Sequence, residues 1–172
     1  MTKGTSNTYR VVLAVNEASS LQVLWRAAMK HMSGGRPDLI TVFVRDDRWR
    51  RAASLPFTEE VSRVSGGTMN FTLQRAEAVD RDAVTRMRGR LQQLATDSEI
   101  KSAFEILAEH ETTRIHEFVR SESDLLIAPS FFKGRPIYSE LARLKCRILL
   151  VDANNGATEP KDQQSKNHGL TT

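Results

Sequence analysis

The sequence predicts an α/β fold: a three-layer α/β/α sandwich around a five-stranded parallel sheet. Three observations lead there. Short apolar, β-branched runs recur at residues 9–15, 39–44, 104–109, 125–128 and 147–151. Segments with apolar residues at helical spacing lie between them. The run at 39–44 is apolar on both faces, as central parallel strands are. Strand and helix therefore alternate, which implies right-handed crossovers within one sheet. At 172 residues, 40% hydrophobic and 27% charged, the chain has the length and composition for one well-filled core.

The elements follow in order. Tyr9, Val11, Val12, Leu13 and Val15 form the first strand. Ser19 with Gln22 three residues on matches a capping box and opens a helix carrying Leu21, Leu24, Trp25, Ala28 and Met32 on one face. Gly34–Gly35 supplies the left-handed geometry that ends a helix, and Pro37 prevents a restart; Ser33-Gly34-Gly35 follows a helix and so is read as this C-cap, not as a phosphate loop. The second strand is 39–44. Residues 45–75 have weak periodicity, and alternating Met69, Phe71 and Leu73 suggest a short edge strand. From Ala76 to Asp97, the residues Ala76, Val79, Ala83, Met87, Leu91, Leu94 and Ala95 make one apolar helical stripe. The third strand, 104–109, leads to a helix expected over 113–122. The fourth strand, 125–128, leads to a short helix over 138–144, and the fifth strand is 147–151. Residues 1–8 and 153–172 are polar and bury too little to offset their ordering entropy. They are expected to be disordered, leaving 9–152 as the domain.

Several functions are disfavoured. No apolar run approaches the ~20 residues of a membrane span, and the polar N-terminus has no signal-peptide core. The single cysteine, Cys146, cannot form an intramolecular disulfide and fits a reducing compartment. The expected location is cytoplasmic. Net charge is +4, with Arg45, Arg48, Arg50 and Arg51 clustered. That cluster reads as a solvated loop, and only Trp49 lies within it to stack on a base, so nucleic acid is an unlikely partner. Four scattered histidines and one cysteine do not provide a metal-ligand set. Asp46 and Asp47 read as a turn paired with flanking Arg45 and Arg48. Cys146 lacks a partner base and reads as a buried or edge thiol.

The distinctive segment follows the fourth strand: Pro129-Ser130-Phe131-Phe132-Lys133-Gly134-Arg135-Pro136. Nucleotide-binding α/β domains place glycines there, because backbone N–H groups must approach phosphates closely. Proline has no N–H to donate, and the two phenylalanines occupy the space a pyrophosphate would need. Phe131 and Phe132 are expected to plug the cleft. If an anion does bind at the strand ends, the residues to hold it are Asn16, the Val44 backbone, Ser130, Lys133 and Arg135, and ATP or AMP is the alternative ligand.

The order of these segments resembles the universal stress protein family. The carrying residues are Val11-Val12-Leu13-Ala14-Val15-Asn16, then Ser19, Ser20 and Ala27-Ala28, then Leu39-Ile40-Thr41-Val42-Phe43-Val44. Later come Thr113-Arg114-Ile115-His116-Glu117-Phe118, Ser123-Asp124-Leu125-Leu126-Ile127 and Lys145-Cys146-Arg147-Ile148-Leu149-Leu150-Val151. The resemblance implies a Rossmann-like sheet of strand order 3-2-1-4-5 and a homodimer joined through the last strands. The seam would be Arg147, Ile148, Leu149, Leu150 and Val151, an apolar edge open to pairing, and a charge at Leu149 should break it. ATP-binding members carry paired glycines after the fourth strand. Here those positions are Pro129 and Phe132, and the aspartate that usually closes the first strand is Asn16. The sequence therefore suggests a non-enzymatic, dimeric stress-response protein without a bound cofactor, acting through contacts with an unidentified protein partner.

Overall fold

All six residues of the first strand, β1 (Arg10–Val15), are buried. The computed structural model describes residues 9–33 and 37–153. Around β1 lie β2 (Asp38–Arg45), β5 (Ser102–Ala108), β6 (Leu125–Pro129) and β7 (Arg147–Val151). Every pairing in this sheet is parallel, in the order β5-β2-β1-β6-β7. Counting only these five strands, that is the expected 3-2-1-4-5.

The pleat sends alternate residues to opposite faces. Val11, Leu13 and Val15 pack with Leu125, Ile127, Leu149 and Val151 beneath helices α1 (Leu21–Met32) and α3 (Leu73–Asp97). Val12, Ala14, Val42 and Val44 pack on the other face with Leu126 and Ala128. That face is covered by two short helices, α4 (Ile115–Phe118) and α5 (Ile137–Leu141), through Ile115, Phe118, Ile137 and Leu141. Leu149 is only 6% exposed and sits in the core with α1. A charge there would disrupt folding, so it cannot report on a seam.

Several boundaries differ from expectation, each for a local reason. The N-cap of α1 is Ser20, which makes no side-chain cap bond, and not Ser19, whose hydroxyl is engaged by Asn16. Helix α3 begins at Leu73, before Ala76, since the Thr72 side chain accepts the Arg75 N–H at 3.2 Å and caps it there. The helix expected over 113–122 is reduced to α4, preceded by a 3₁₀ turn at Glu109–Arg114. Past Phe118 the Asp124 carboxylate takes the N–H groups of Arg120 and Ser121. Side-chain acceptors of this kind compete with the helical ladder. The last helix is α5, shorter than the expected 138–144.

Between β2 and α3 the arginine cluster is not a loop. It includes helix α2 (Arg48–Ala53). Met69 does lie in a strand, β4 (Thr68–Asn70), but it pairs antiparallel with β3 (Glu59–Val61) in a separate two-stranded sheet. Phe71 is buried, in tilted contact with Trp49 at 5.8 Å between ring centroids, and Leu73 already belongs to α3. The expectations for residues 1–8, for the Gly34–Gly35 helix end and for the tail beyond Ala153 lie outside the described residues.

Candidate functional site

The carboxyl ends of β1, β2 and β6 face the same side of the molecule, where parallel α/β sheets bind ligands. Three of the five anticipated residues meet there. Asn16, Val44 and Arg135 line one small cavity with Asp46, Glu109, Phe132 and Ile137. Its volume is about 10 Å³, room for a single water at most.

Each wall is committed to an internal contact. The Asn16 side-chain oxygen accepts from the Ala18 N–H at 3.1 Å and the Ser19 hydroxyl at 3.0 Å. Ser19 in turn accepts the Asn16 N–H at 2.9 Å. This closed turn leads β1 into α1. Phe132 is 1% exposed and packs edge-on to Phe131 at 5.4 Å. Only Phe132 fills the cleft, however; Phe131 is 42% exposed and lies outside it. Pro129 closes β6 with φ of −67°, the value its ring imposes. It leads into a 3₁₀ turn at Ser130–Gly134 that carries Phe132 inward.

Asp46 is the electrostatic centre of the mouth. Its carboxylate accepts the Arg48 N–H at 2.8 Å and pairs with both the Arg48 and Arg135 guanidiniums. Burial alone would raise this carboxyl. The Arg48 N–H and the Arg135 guanidinium outweigh it and hold Asp46 below the usual aspartate range. Arg48 is thus the local partner that the sequence suggests, but Arg45 is not. The second cation, Arg135, comes from the far end of the chain.

The other two anticipated residues are directed elsewhere. The Ser130 hydroxyl bonds the Asp152 carboxylate at the end of β7. Lys133 is exposed and makes no ion pair among the described residues. Asp47, the neighbour of Asp46, contacts His110 at 3.1 Å. Glu109 was not among the sequence candidates. It accepts the Asp47 N–H at 3.2 Å and lies 3.8 Å from Arg51. Its position at the carboxyl end of a parallel strand was the signal that could have identified it. Helix α2 is tied to this mouth by Arg48, by Arg51 and by Trp49, whose indole N–H donates to Glu17 at 3.3 Å.

Other chemistry is sparse. No three His, Cys, Asp or Glu side chains converge as a metal site would need, among the described residues. Cys146 is half-buried; burial, with Asp124 nearby, pushes its thiol pKa up, away from nucleophile character. No described helix is long and apolar enough to cross a membrane. A concavity of about 830 Å³ lies at the opposite end of the sheet beside Arg10, Asp38 and Lys101. It is remote from the loops that follow the strands. No family model matches this chain, and no curated protein matches it in sequence.

Proposed function

We propose that this protein is a non-catalytic, dimeric stress-response protein of the universal stress protein type, which acts through protein contacts and not through a bound nucleotide. The observation that carries the reading is the filled mouth. Where a nucleotide-binding relative would hold phosphates, Phe132 occupies the cleft and the Asp46–Arg135 pair closes it, leaving about 10 Å³. The strand order is the one that the resemblance implies.

A second observation favours protein contacts. Leu55, Phe57, Val61, Val64 and Met69 are each at least 62% exposed. All lie in the segment between α2 and α3, on and around the β3–β4 hairpin. Exposed apolar groups gathered in one segment mark an interaction surface. Phe57 also has φ of 64°, a strained conformation for a bulky side chain.

The experiment is a binding titration of the purified full chain with ATP, AMP and cyclic AMP, with and without magnesium, followed by nucleotide extraction from a fresh preparation. No extracted nucleotide and no affinity tighter than millimolar supports the reading. Tight binding overturns it in favour of an adenine-nucleotide sensor, with Asn16, Val44 and Arg135 rearranged around the ligand.

A further inference from the structure

A second concave region lies along the outer edge of the sheet, apart from the mouth. It encloses about 470 Å³ between α3, the start of α2 and the β2–β5 edge. Helix α3 turns Glu77, Arg81 and Arg88 toward it along one face, with Asp80 beside them. Arg45 at the end of β2 and Arg50 on α2 complete the ring. Four arginines thus face two carboxylates.

The partners of these charges leave cations to spare. Arg50 lies 3.7 Å from Glu77 and answers it. Arg88 places its guanidinium over the Phe104 ring, 5.0 Å from the centroid. A stacked guanidinium keeps its N–H edges free for an acceptor. Arg81 and Arg45 form no ion pair among the described residues, and the Arg45 Nε–H is buried with no acceptor. Three guanidiniums are therefore uncommitted to any carboxylate bridge; Asp80 lies beside them in the groove, and Glu17 and Asp47 lie within electrostatic reach of Asp80.

We propose that this groove binds a small hydroxylated phosphate monoester, with its phosphate held by Arg81 and Arg88 and its field set by Arg45. Guanidinium forks match phosphate oxygens bidentately, and a dianion suits cations that no carboxylate bridges. The volume suits a small metabolite. Asp80 supplies an acceptor for ligand hydroxyls while repelling a continuous polyanion, which sets this groove apart from a nucleic-acid track. Val84 and Ile106 give it an apolar floor. The site shares no residue with the mouth, so it stands whatever the outcome of the adenine-nucleotide titration.

The test titrates the full chain with glycerol phosphate, with glycerol as the uncharged control, by calorimetry at fixed salt. Saturable one-to-one binding of glycerol phosphate, and none of glycerol, is expected. Arg81→Gln and Arg88→Gln should each weaken it about tenfold or more. Arg90→Gln, exposed on α3 outside the groove, should leave it unchanged. Arg81, Arg88 and Arg90 are all exposed, so melting temperatures should stay close to that of the parent chain and show that each variant folds. No saturable binding overturns the proposal. So does equal weakening by Arg90→Gln, which would mean diffuse attraction to a basic surface.

Discussion

Asp124 shows how much one buried carboxylate can organise. It is 2% exposed and joins the start of β1 to the start of β6. One oxygen accepts the Arg10 N–H at 2.8 Å and the Ser121 hydroxyl at 3.1 Å; the other accepts the N–H groups of Arg120 and Ser121. Burial would raise its carboxyl, but these donors prevail and hold it below the ordinary value. A folded pKa below the unfolded one stabilises the fold above the unfolded value, and that stability is lost as pH falls through the folded value. Asp124→Asn must turn its amide NH2 toward at least one backbone N–H, which loses its acceptor, and the remaining bonds lose their charge. It should cost roughly 3 kcal/mol at neutral pH, at ~1.5 or more per bond to a charged group. In urea titrations the gap to the parent chain should narrow as the solution is acidified through the aspartate range. A gap independent of pH would mean that the charge contributes nothing. Phe132 invites a second substitution. Phe132→Ala should cost about 3–5 kcal/mol by emptying a packed site, measured by thermal or urea unfolding; a loss under 1 kcal/mol would mean that the ring does not fill the mouth. The cavity-lining residues were partly legible in the sequence, because Asn16, Val44 and Phe132 follow from strand ends and from one unusual loop. The Asp46–Arg135 pair was not, since 89 residues separate its members and spacing reveals only neighbours such as Arg48.

Elements with a strong apolar period were readable, and those held by polar contacts were not. Helix α3 announces itself by Ala76, Ala83, Met87 and Leu91, all buried on one stripe. Strand β7 runs over the expected residues because each of its faces meets a separate core. In contrast, no residue of α2, β3 or β4 is buried. They are held by side-chain links such as Arg75 to Glu60 at 2.9 Å and the Thr58 hydroxyl to the Ala52 carbonyl at 2.9 Å. Contacts like these leave no hydrophobic period to read. The end of α3 carries a further local feature. Glu99 sits at φ of 54° while the Ile100 N–H reaches back to the Ala95 carbonyl at 2.9 Å. This is the position where helices usually place glycine. Glu99→Gly should relieve the left-handed strain and raise stability by about 0.5–1 kcal/mol, with part of the gain offset by greater freedom in the unfolded chain. The readout is the urea midpoint at constant slope; a lower midpoint would show that the glutamate side chain stabilises this corner.

At the scale of the molecule, the open sheet has two edges, and they are not equivalent. The β5 edge exposes Ala103 and Glu105 and is flanked by Lys101 and Arg88. Charges of this kind discourage edge pairing. The β7 edge carries Ile148 and Leu150, both half-buried. The Arg147 N–H bonds the Asp124 carbonyl at 3.2 Å and so points into the sheet. In a parallel strand the direction alternates, so the backbone groups of Ile148 and Leu150 point outward. Those groups are what a second copy would pair with across a two-fold axis. Ile148→Pro removes one outward N–H and leaves the bonds to β6 intact, since proline is tolerated on edge strands. If β7 forms the seam, the parent chain sediments as a dimer at micromolar concentration. Ile148→Pro should then sediment as a monomer with its far-ultraviolet dichroism preserved, and Ala103→Lys on the other edge should remain a dimer. A parent chain that stays monomeric at every concentration refutes the seam. So does a folded Ile148→Pro variant that remains dimeric, because the two copies would then have to meet through a surface other than this edge, with the exposed β3–β4 hairpin the next to be substituted.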